Sequence, residues 1–270
     1  MNRFKNPGEN ILRIASFDVA KINFGQWIED IPISKLRNLK EKYRNLPTRF
    51  QRRVRGDMNS NVTKIFEELF KAGKRVHIGV YDFRNNKDEK PKLTYQMRKN
   101  FIAHLRGLDF LWRTCDIFII ENQYSGGRKR KGNTDAIRVA EALFIWILEN
   151  YPFKEILYFS SSYKTQILGA PPKLSDKQRK KWAIEKAEEI HKLRNDLDML
   201  EIHELKKRIY RKRLNSESKI QSFLEGFEQK SDDLRWLADK IVRERQKLDD
   251  FSDAFLQLQA YLYKTFVACF

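Results

Sequence analysis

The sequence predicts an α/β fold in which a mixed five-stranded sheet is flanked by helices. Five short apolar runs are typical of strands, and apolar residues at helical spacing lie between and after them. The order of these patterns is three strands, helix, strand, helix, strand and then helices, which favours a sheet covered by helices. The predicted strands span residues 11–20, 23–31, 76–83, 116–121 and 155–160.

The first two strands predict a hairpin with Asn23 in its tight turn. Residues 34–75 then interrupt the strand pattern. Residues 35–75 contain 13 basic and 4 acidic residues, which is half of the net excess of the chain. Leu36 and Leu39 are spaced as on a helix face, so this basic segment is predicted to contain helices.

A helix is predicted over residues 93–112, after the third strand. The fourth strand is followed by a basic loop at residues 125–132, and the glycines at its two ends predict that it is mobile. Residues 134–149 show a clear amphipathic helix pattern, which Asn133 or Thr134 can cap.

The segment from Ser175 to Leu248 has an almost entirely helical pattern. Its leucines and isoleucine keep a 3-4-3 spacing that favours a short coiled-coil seam. A helical hairpin inserted into a smaller fold is the simplest interpretation. The seam residues are Ile190, Leu193, Leu197 and Leu200.

The overall composition narrows the possible partners. The 270 residues carry a formal net charge of +18, which favours nucleic acid or, more weakly, an anionic membrane as partner. No run approaches the roughly 20 apolar residues of a membrane span, so no membrane association is expected. Two cysteines and a polar N-terminus argue against a disulfide framework and a secretory signal, so we expect an intracellular protein. One domain over residues 1–270, with insertions at 34–75 and 191–246, is predicted.

Carboxylates interrupt apolar segments at three places. Asp18 lies within the first predicted strand, Glu121 ends the fourth, and Asp250 and Asp253 lie one turn apart on a late apolar helix. Each acid alone has an ordinary explanation as a strand end or a helix cap, and Asp249 is interpreted as a helix-start residue or a partner of the others. Together they predict a site for Mg²⁺ or Mn²⁺, because hard cations prefer convergent oxygen ligands.

The motifs around these acids resemble those of the RuvC-type Holliday junction resolvases, in the ribonuclease H-like superfamily. The similar segments are FDVAKIN at residues 17–23, IIENQ at 119–123 and DDFSDAF at 249–255. Residues 162–187 are also similar to the branch of this family found in poxviruses and other large DNA viruses.

The resemblance covers residues 11–33, 76–190 and 246–266. Ala20 stands where the family usually has glycine, and Ile22 stands where a basic residue is common. Neither departure removes a predicted metal ligand.

The resemblance implies a ribonuclease H-like sheet whose first three strands are antiparallel. Asp18 would lie centrally on strand one, Glu121 at the end of strand four, and Asp250 and Asp253 on the last helix, all four being catalytic metal ligands. It also implies a homodimer with Mg²⁺ or Mn²⁺ that resolves four-way DNA junctions in recombination or replication. The paired nicks would leave 5′-phosphate and 3′-hydroxyl ends, in cytoplasmic viral factories if the protein is viral.

Basic side chains are the predicted phosphate contacts, because neutralising phosphates supplies most sequence-independent affinity for DNA. The glycine-flanked loop after Glu121 is the first candidate. A dimer surface is expected either at Leu143, Phe144 and Ile147 or at the 190–200 seam. The predicted DNA contacts are Arg52, Arg53, Arg128, Lys129, Arg130, Lys131, Lys164, Arg179, Lys180 and Lys181.

Two other functions fit the same sequence. The chain could be another ribonuclease H-like enzyme, acting on RNA–DNA hybrids or as a transposase-type recombinase. It could also be a non-catalytic nucleic-acid-binding protein in which the acids are structural. Cleavage assays on junction, hybrid and linear substrates separate these possibilities.

Overall fold

A computed structural model gives the fold, and an open five-stranded sheet forms its centre. The strand order is β3-β2-β1-β4-β7, in which β2 is antiparallel to both β3 and β1, and β4 is parallel to both β1 and β7. The predicted mixed sheet flanked by helices is therefore confirmed. The strands are β1 Ile11–Asp18, β2 Phe24–Pro32, β3 Lys74–Tyr81, β4 Ile117–Asn122, β5 Gly126–Gly127, β6 Arg130–Lys131 and β7 Glu155–Ser160. The structure describes residues 10–20, 22–44, 60–86, 92–123, 126–127, 130–131, 133–210, 217–244 and 248–267.

Helices cover both faces of this sheet. A π-helical turn, Tyr263–Val267, follows the last of them directly. Among the described residues, no helix is both long enough and apolar enough to cross a bilayer. The helices are α1 Ile33–Lys42, α2 Ser60–Phe70, α3 Tyr95–Gly107, α4 Asp109–Trp112, α5 Thr134–Asn150, α6 Ser161–Ile167, α7 Asp176–Arg194, α8 Leu197–Tyr210, α9 Glu217–Glu225, α10 Asp232–Arg243 and α11 Asp249–Leu262.

The central strands are buried on both faces, as expected of strands covered by helices. In β1, Ile14 packs into the apolar cluster beneath α7, α8, α10 and α11, whereas Ala15 and Phe17 pack into the cluster beneath α3 and α5. Helices of the predicted 191–246 insertion thus share a core with α11. For example, Met199 and Leu237 are fully buried there.

Several local predictions are confirmed. The β1–β2 hairpin turns at Asn23, which adopts a left-handed backbone with φ 61°, a conformation that asparagine tolerates. Helices lie in the basic 34–75 segment, where Leu36 and Leu39 are buried. The side chain of Asn133 caps α5 by accepting a hydrogen bond from the backbone N–H of Ala136.

Other local predictions are wrong. The helix predicted over 93–112 is two helices, because the chain turns at Leu108. The coiled-coil seam is broken at Asn195, where φ is 55°, and Leu197 beyond the break is 59% exposed. Within the predicted mobile loop, residues 126–127 and 130–131 pair as the β5–β6 ribbon, and its mobility stays a prediction.

The predicted dimer surfaces are largely internal. Leu143 and Ile147 of α5 are buried in the core beneath α3 and α5, and Ile190 of the seam is buried on the other side of the sheet. These side chains therefore stabilise the fold of one chain.

Helix α11 lies across the sheet as its most buried helix. Every residue from Asp249 to Leu262 is buried except Asp253. The buried side-chain amide of Gln257 lies 3.1 Å from Ser16 Oγ and 3.3 Å from the carbonyl oxygens of Phe17 and Ile119. This amide fixes α11 over the ends of β1 and β4.

Close approach of α11 to the sheet depends on Gly25. This residue pairs with Asp18 in the β1–β2 register. A Cβ atom at Gly25 would overlap the backbone carbonyl of Asp250, so a larger residue would push the start of α11 away.

Candidate active site

Two predicted acids lie side by side at one edge of the sheet. Asp18 is the last residue of β1, not a central one as expected, and Glu121 lies in the parallel strand β4. Because Phe17 pairs with Ile120, the next residues of the two strands are neighbours. The carboxyl groups of Asp18 and Glu121 share a hydrogen bond.

Asp253 of α11 joins this pair through Lys164. The ammonium Nζ of Lys164 lies 2.7 Å from Asp253 Oδ1 and 3.4 Å from Glu121 Oε1. Lys164 lies on α6, which begins directly after the edge strand β7. Its side chain is only 6% exposed and pairs with acids of this site, and its predicted contact with DNA stays a prediction.

The cluster shifts the proton affinity of its members. Burial, followed by the nearby charges of Glu121 and Asp253, raises the pKa of Asp18 well above its usual range. Burial alone would raise the pKa of Glu121 as well. The charge of Lys164 and hydrogen bonds from Asp18, Lys164 and Gln123 outweigh it, so the pKa of Glu121 is lowered. Of these two hydrogen-bonded carboxyl groups, Asp18 therefore has the raised pKa and Glu121 the lowered one.

Burial and nearby charges also shift the pKa values of Asp253 and Lys164. Burial raises the pKa of Asp253 despite the opposing charge of Lys164. Burial by itself would lower the pKa of Lys164, but the charges of Asp253, Glu121 and Asp18 raise it above its usual range. Lys164 is thus a charged ammonium among three carboxyl groups.

Asp250 and Asp249 form the outer part of the site at the start of α11. Asp249 is buried and accepts a 2.5 Å ion pair from Lys180 of α7. Asp250 is also buried, and its charge acts on Lys180 together with that of Asp249. Asp249 is thus both the first residue of α11 and the ion-pair partner of Lys180, so both of its suggested roles stay open.

Three supporting residues are positioned around the acids. Gln123 donates hydrogen bonds to Glu121 Oε2 at 2.7 Å and to the carbonyl oxygen of Val19 at 3.2 Å. Gln257 and Gly25 place α11 against the strand ends. Sequence reasoning missed the roles of Gln257 and Gly25. A polar residue on the buried face of α11 was the available signal for Gln257.

The oxygen donors suit a hard divalent cation in kind, since Mg²⁺ binds a few carboxylates and several waters. Their arrangement is nevertheless that of a cluster compensated by lysine. Across the residues that the structure describes, no group of three or more His, Cys, Asp or Glu side chains is arranged to hold a metal ion. Asp18, Glu121 and Asp253 would hold such a cation only after the ammonium of Lys164 has moved.

The other predicted DNA contacts that the structure describes lie on α7 or in the β5–β6 ribbon. The α7 side chains are exposed or half-exposed, and each forms an ion pair with a nearby acid. Arg130 and Lys131 form strand β6. Arg52, Arg53, Arg128 and Lys129 lie outside the described residues. The ion pairs are Arg179 with Asp176, Lys180 with Asp249, and Lys181 with Glu185.

A cavity of about 430 Å³ lies beside the acids, between α7, α8 and the start of α11. Four lysines line it, together with Asp249 and Glu188. Two of these lysines pair with the acids of the lining, Lys180 with Asp249 and Lys207 with Glu188. The lysines are Lys177, Lys180, Lys206 and Lys207.

Comparison with known proteins relates the chain to viral proteins. It is 27% identical over 259 residues to "Uncharacterized protein 170L" of Invertebrate iridescent virus 6, a match covering 95% of this chain and 91% of that protein. A 79-residue segment is 34% identical to "Uncharacterized protein 97L" of Invertebrate iridescent virus 3 and covers 29% of this chain and 36% of that protein. No family model and no solved structure matches the chain.

Proposed function

We propose that this protein is a ribonuclease H-like, Mg²⁺-dependent DNA endonuclease that resolves four-way junctions by paired nicks. One observation carries the proposal. Asp18, Glu121 and Asp253, from two parallel strand ends and a helix, converge in one buried cluster. Burying three carboxyl groups together costs stability, which a role in binding cations would explain.

The chemistry of the cluster suits phosphodiester hydrolysis. Divalent ions held there would supply activation of a water and stabilisation of the leaving 3′ oxygen, and hydrolysis would give a 5′-phosphate and a 3′-hydroxyl. Asp18, Glu121 and Asp253 would hold Mg²⁺ or Mn²⁺, with Asp250 as a further ligand at the rim. Gln123 orients Glu121, and Gln257 fixes the helix that carries Asp253.

The charge distribution supports DNA as the substrate. The chain has a net charge of +18, and the lysine-lined cavity opens beside Asp249 at the start of α11. A strand whose scissile phosphate lies at the acids could place a neighbouring phosphate near these lysines. Branched DNA is the proposed substrate, as the family resemblance implies.

A homodimer would place two such sites on opposite strands of a junction. The outer face of α5 offers a surface, since Ile145 and Leu148 are about half exposed and nearby Phe153 is almost fully exposed. Sedimentation of the wild type and of Leu148→Asp would show whether this face joins two copies.

One observation favours a second candidate, a non-catalytic nucleic-acid-binding protein. Lys164 already compensates the acids, which is the arrangement of a structural ion-pair network. This candidate predicts DNA binding without Mg²⁺-dependent turnover on any substrate.

Cleavage of an immobile four-way junction, with mapped nicks, tests the proposal. A linear duplex of the same sequence and an RNA–DNA hybrid separate a junction resolvase from other ribonuclease H-like enzymes. Asp18→Asn, Glu121→Gln and Asp253→Asn should each lower the cleavage rate by more than about 100-fold, because even changes to partners of metal ligands cost 10–100-fold. Junction binding should persist.

Asp176→Asn is the matched control, because it removes an acid whose side chain is 86% exposed at the start of α7. It should cut at the wild-type rate. Full cleavage by a folded Asp18→Asn protein would refute the assignment. Absence of cleavage on all three substrates would favour the non-catalytic candidate.

A further inference from the structure

Lys164 is a buried cation that points into a cluster of acids, and the nuclease proposal does not explain why it is there. We propose that its ammonium occupies the place of a divalent cation, so that DNA and metal bind cooperatively by displacing it. An arriving phosphate would take over the ammonium as its partner and free the carboxylates for the metal. This inference rests on the proposed function and concerns the order of loading at the same site.

The ammonium of Lys164 lies on the oxygens that a divalent cation would need. Lys164 Nζ lies 2.7 Å from Asp253 Oδ1 and 3.4 Å from Glu121 Oε1, and its charge also acts on Asp18. A divalent cation bound by these three acids would lie within a few ångströms of the ammonium. At such a distance repulsion between the two cations is strong in a buried site. The two cannot share the cluster unless the ammonium moves.

The position of Lys164 allows such a movement. It lies in the middle of α6, a helix of seven residues at the edge of the sheet. The cluster is not sealed, since the side chain of Asp253 is 19% exposed and that of Glu121 is 11% exposed. A lysine has a flexible four-carbon stem, so its ammonium can turn towards this opening without unfolding the helix.

A nucleic acid offers the ammonium a suitable alternative partner. Phosphate is an anion that lysine binds as a point charge. A phosphate at the opening beside Asp253 would lie within reach of the same side chain. Moving the ammonium from carboxylate to phosphate leaves three acids without a counter-charge, which favours capture of a divalent ion.

The proposed displacement of Lys164 can be measured because it links DNA binding to metal binding. If DNA removes the internal competitor, DNA must tighten metal binding, and metal must tighten DNA binding by the same factor. Without DNA the wild type should bind divalent ions weakly.

Calorimetric titration with Ca²⁺ provides the test, because Ca²⁺ prefers the same oxygen ligands as Mg²⁺. Each protein is titrated alone and with a four-way junction, after subtraction of the heat of Ca²⁺ binding to the junction. For the wild type, the junction should tighten Ca²⁺ binding by about tenfold or more, within the usual range for linked sites. Lys164→Met should bind Ca²⁺ tightly without DNA, and the junction should add little.

Two controls identify the cause. Lys164→Arg keeps the charge, so its DNA-free affinity should stay close to that of the wild type. Lys180→Met removes the neighbouring lysine, which pairs with Asp249 at 2.5 Å, and should change the affinity far less than Lys164→Met. An equal gain in DNA-free Ca²⁺ affinity in Lys164→Met and Lys180→Met would overturn the inference, because removing any nearby positive charge would then have the same effect.

The wild-type titrations test the proposed coupling of DNA and metal binding even if Lys164→Met fails to fold. Equal Ca²⁺ affinities with and without the junction overturn the inference. The nuclease proposal is tested separately by cleavage. If the protein cuts the junction but binds Ca²⁺ equally well with and without it, only this inference fails. If the protein does not cut but the junction tightens Ca²⁺ binding, only the nuclease proposal fails.

Discussion

The two ends of the central strand β1 both bury charge, but they balance it differently. At the start, Arg13 places Nε and Nη2 each 2.6 Å from the carboxylate of Asp30, and Nη1 2.8 Å from Thr114 Oγ1. At the other end, Asp18 belongs to a group of three acids with a single ammonium.

We interpret this difference as one between a structural cluster and a candidate functional one. A buried arginine bound by a two-point ion pair is compensated, and losing either partner leaves an unpaired buried charge. A cluster with more acids than bases has raised proton affinity and can still accept a cation. We therefore expect mutations at the two ends to have opposite effects on stability.

The largest effect is expected at the balanced end. Arg13→Met should lower the free energy of unfolding by about 3–5 kcal/mol, because Asp30 loses its buried partner. Asp18→Asn should cause no loss in metal-free buffer, since it removes repulsion among the acids. Urea denaturation of both variants without metal measures the contrast. Equal destabilisation of the two variants would contradict it.

A second prediction concerns how closely α11 packs on the acid-rich end. Gly25→Ala should cost about 1–3 kcal/mol, because the added methyl group collides with the Asp250 carbonyl and overpacks a tight contact. Junction cleavage should also fall as Asp253 moves away from Glu121. Thermal melts and cleavage rates measure the two effects.

Gly107→Ala is the control for this substitution. No atom lies within 4 Å of a Cβ atom at Gly107, at the end of α3 on the other face of the sheet. This variant should keep its stability and its cleavage rate. If Gly25→Ala also kept the stability and cleavage rate of the wild type, neither property would depend on the close approach of α11 to the strands.

The third prediction concerns the pH dependence of stability and has the smallest expected effect of the three. The pKa of Asp18 is raised in the folded protein, so between its unfolded and folded pKa values folding takes up a proton. Its contribution to stability is fully present below the unfolded pKa and is lost as pH rises through the folded pKa. Asp18→Asn removes this loss. Its stability relative to the wild type should rise by as much as about 1.4 kcal/mol per pH unit in that window.

Denaturation of both proteins from pH 4 upwards in chelator checks this slope. The matched variant Asp176→Asn, exposed at the start of α7, should run parallel to the wild type. A constant difference between Asp18→Asn and the wild type would mean that the folded Asp18 is not unusually basic.

Much of the sheet was predictable because its signals are local. Asn23 marks the hairpin turn, the apolar run ending at Glu121 marks a buried strand, and Asn133 marks the start of α5. The break at Leu108 had a local signal that the prediction passed over, because Gly107 lies directly before it and glycine disfavours a helix interior. The chain turns where α4 packs into the core.

The acids were predictable for a different reason. Asp18 and Glu121 are charged residues in apolar runs, where an unpaired charge is too costly to be common. Lys164 gave no such signal, because a lysine after three serines is typical of a surface. Its burial depends on Asp253, 89 positions later in the chain, and long-range pairing of this kind is not encoded locally.

An anomalous-scattering map of crystals grown with Mn²⁺ and junction DNA tests the central claim most directly. The account predicts a peak within about 2.5 Å of oxygens of Asp18, Glu121 and Asp253. Lys164 should have turned away towards a phosphate. A complex in which Lys164 still contacts Glu121 and Asp253, with no peak at the acids, would contradict the account.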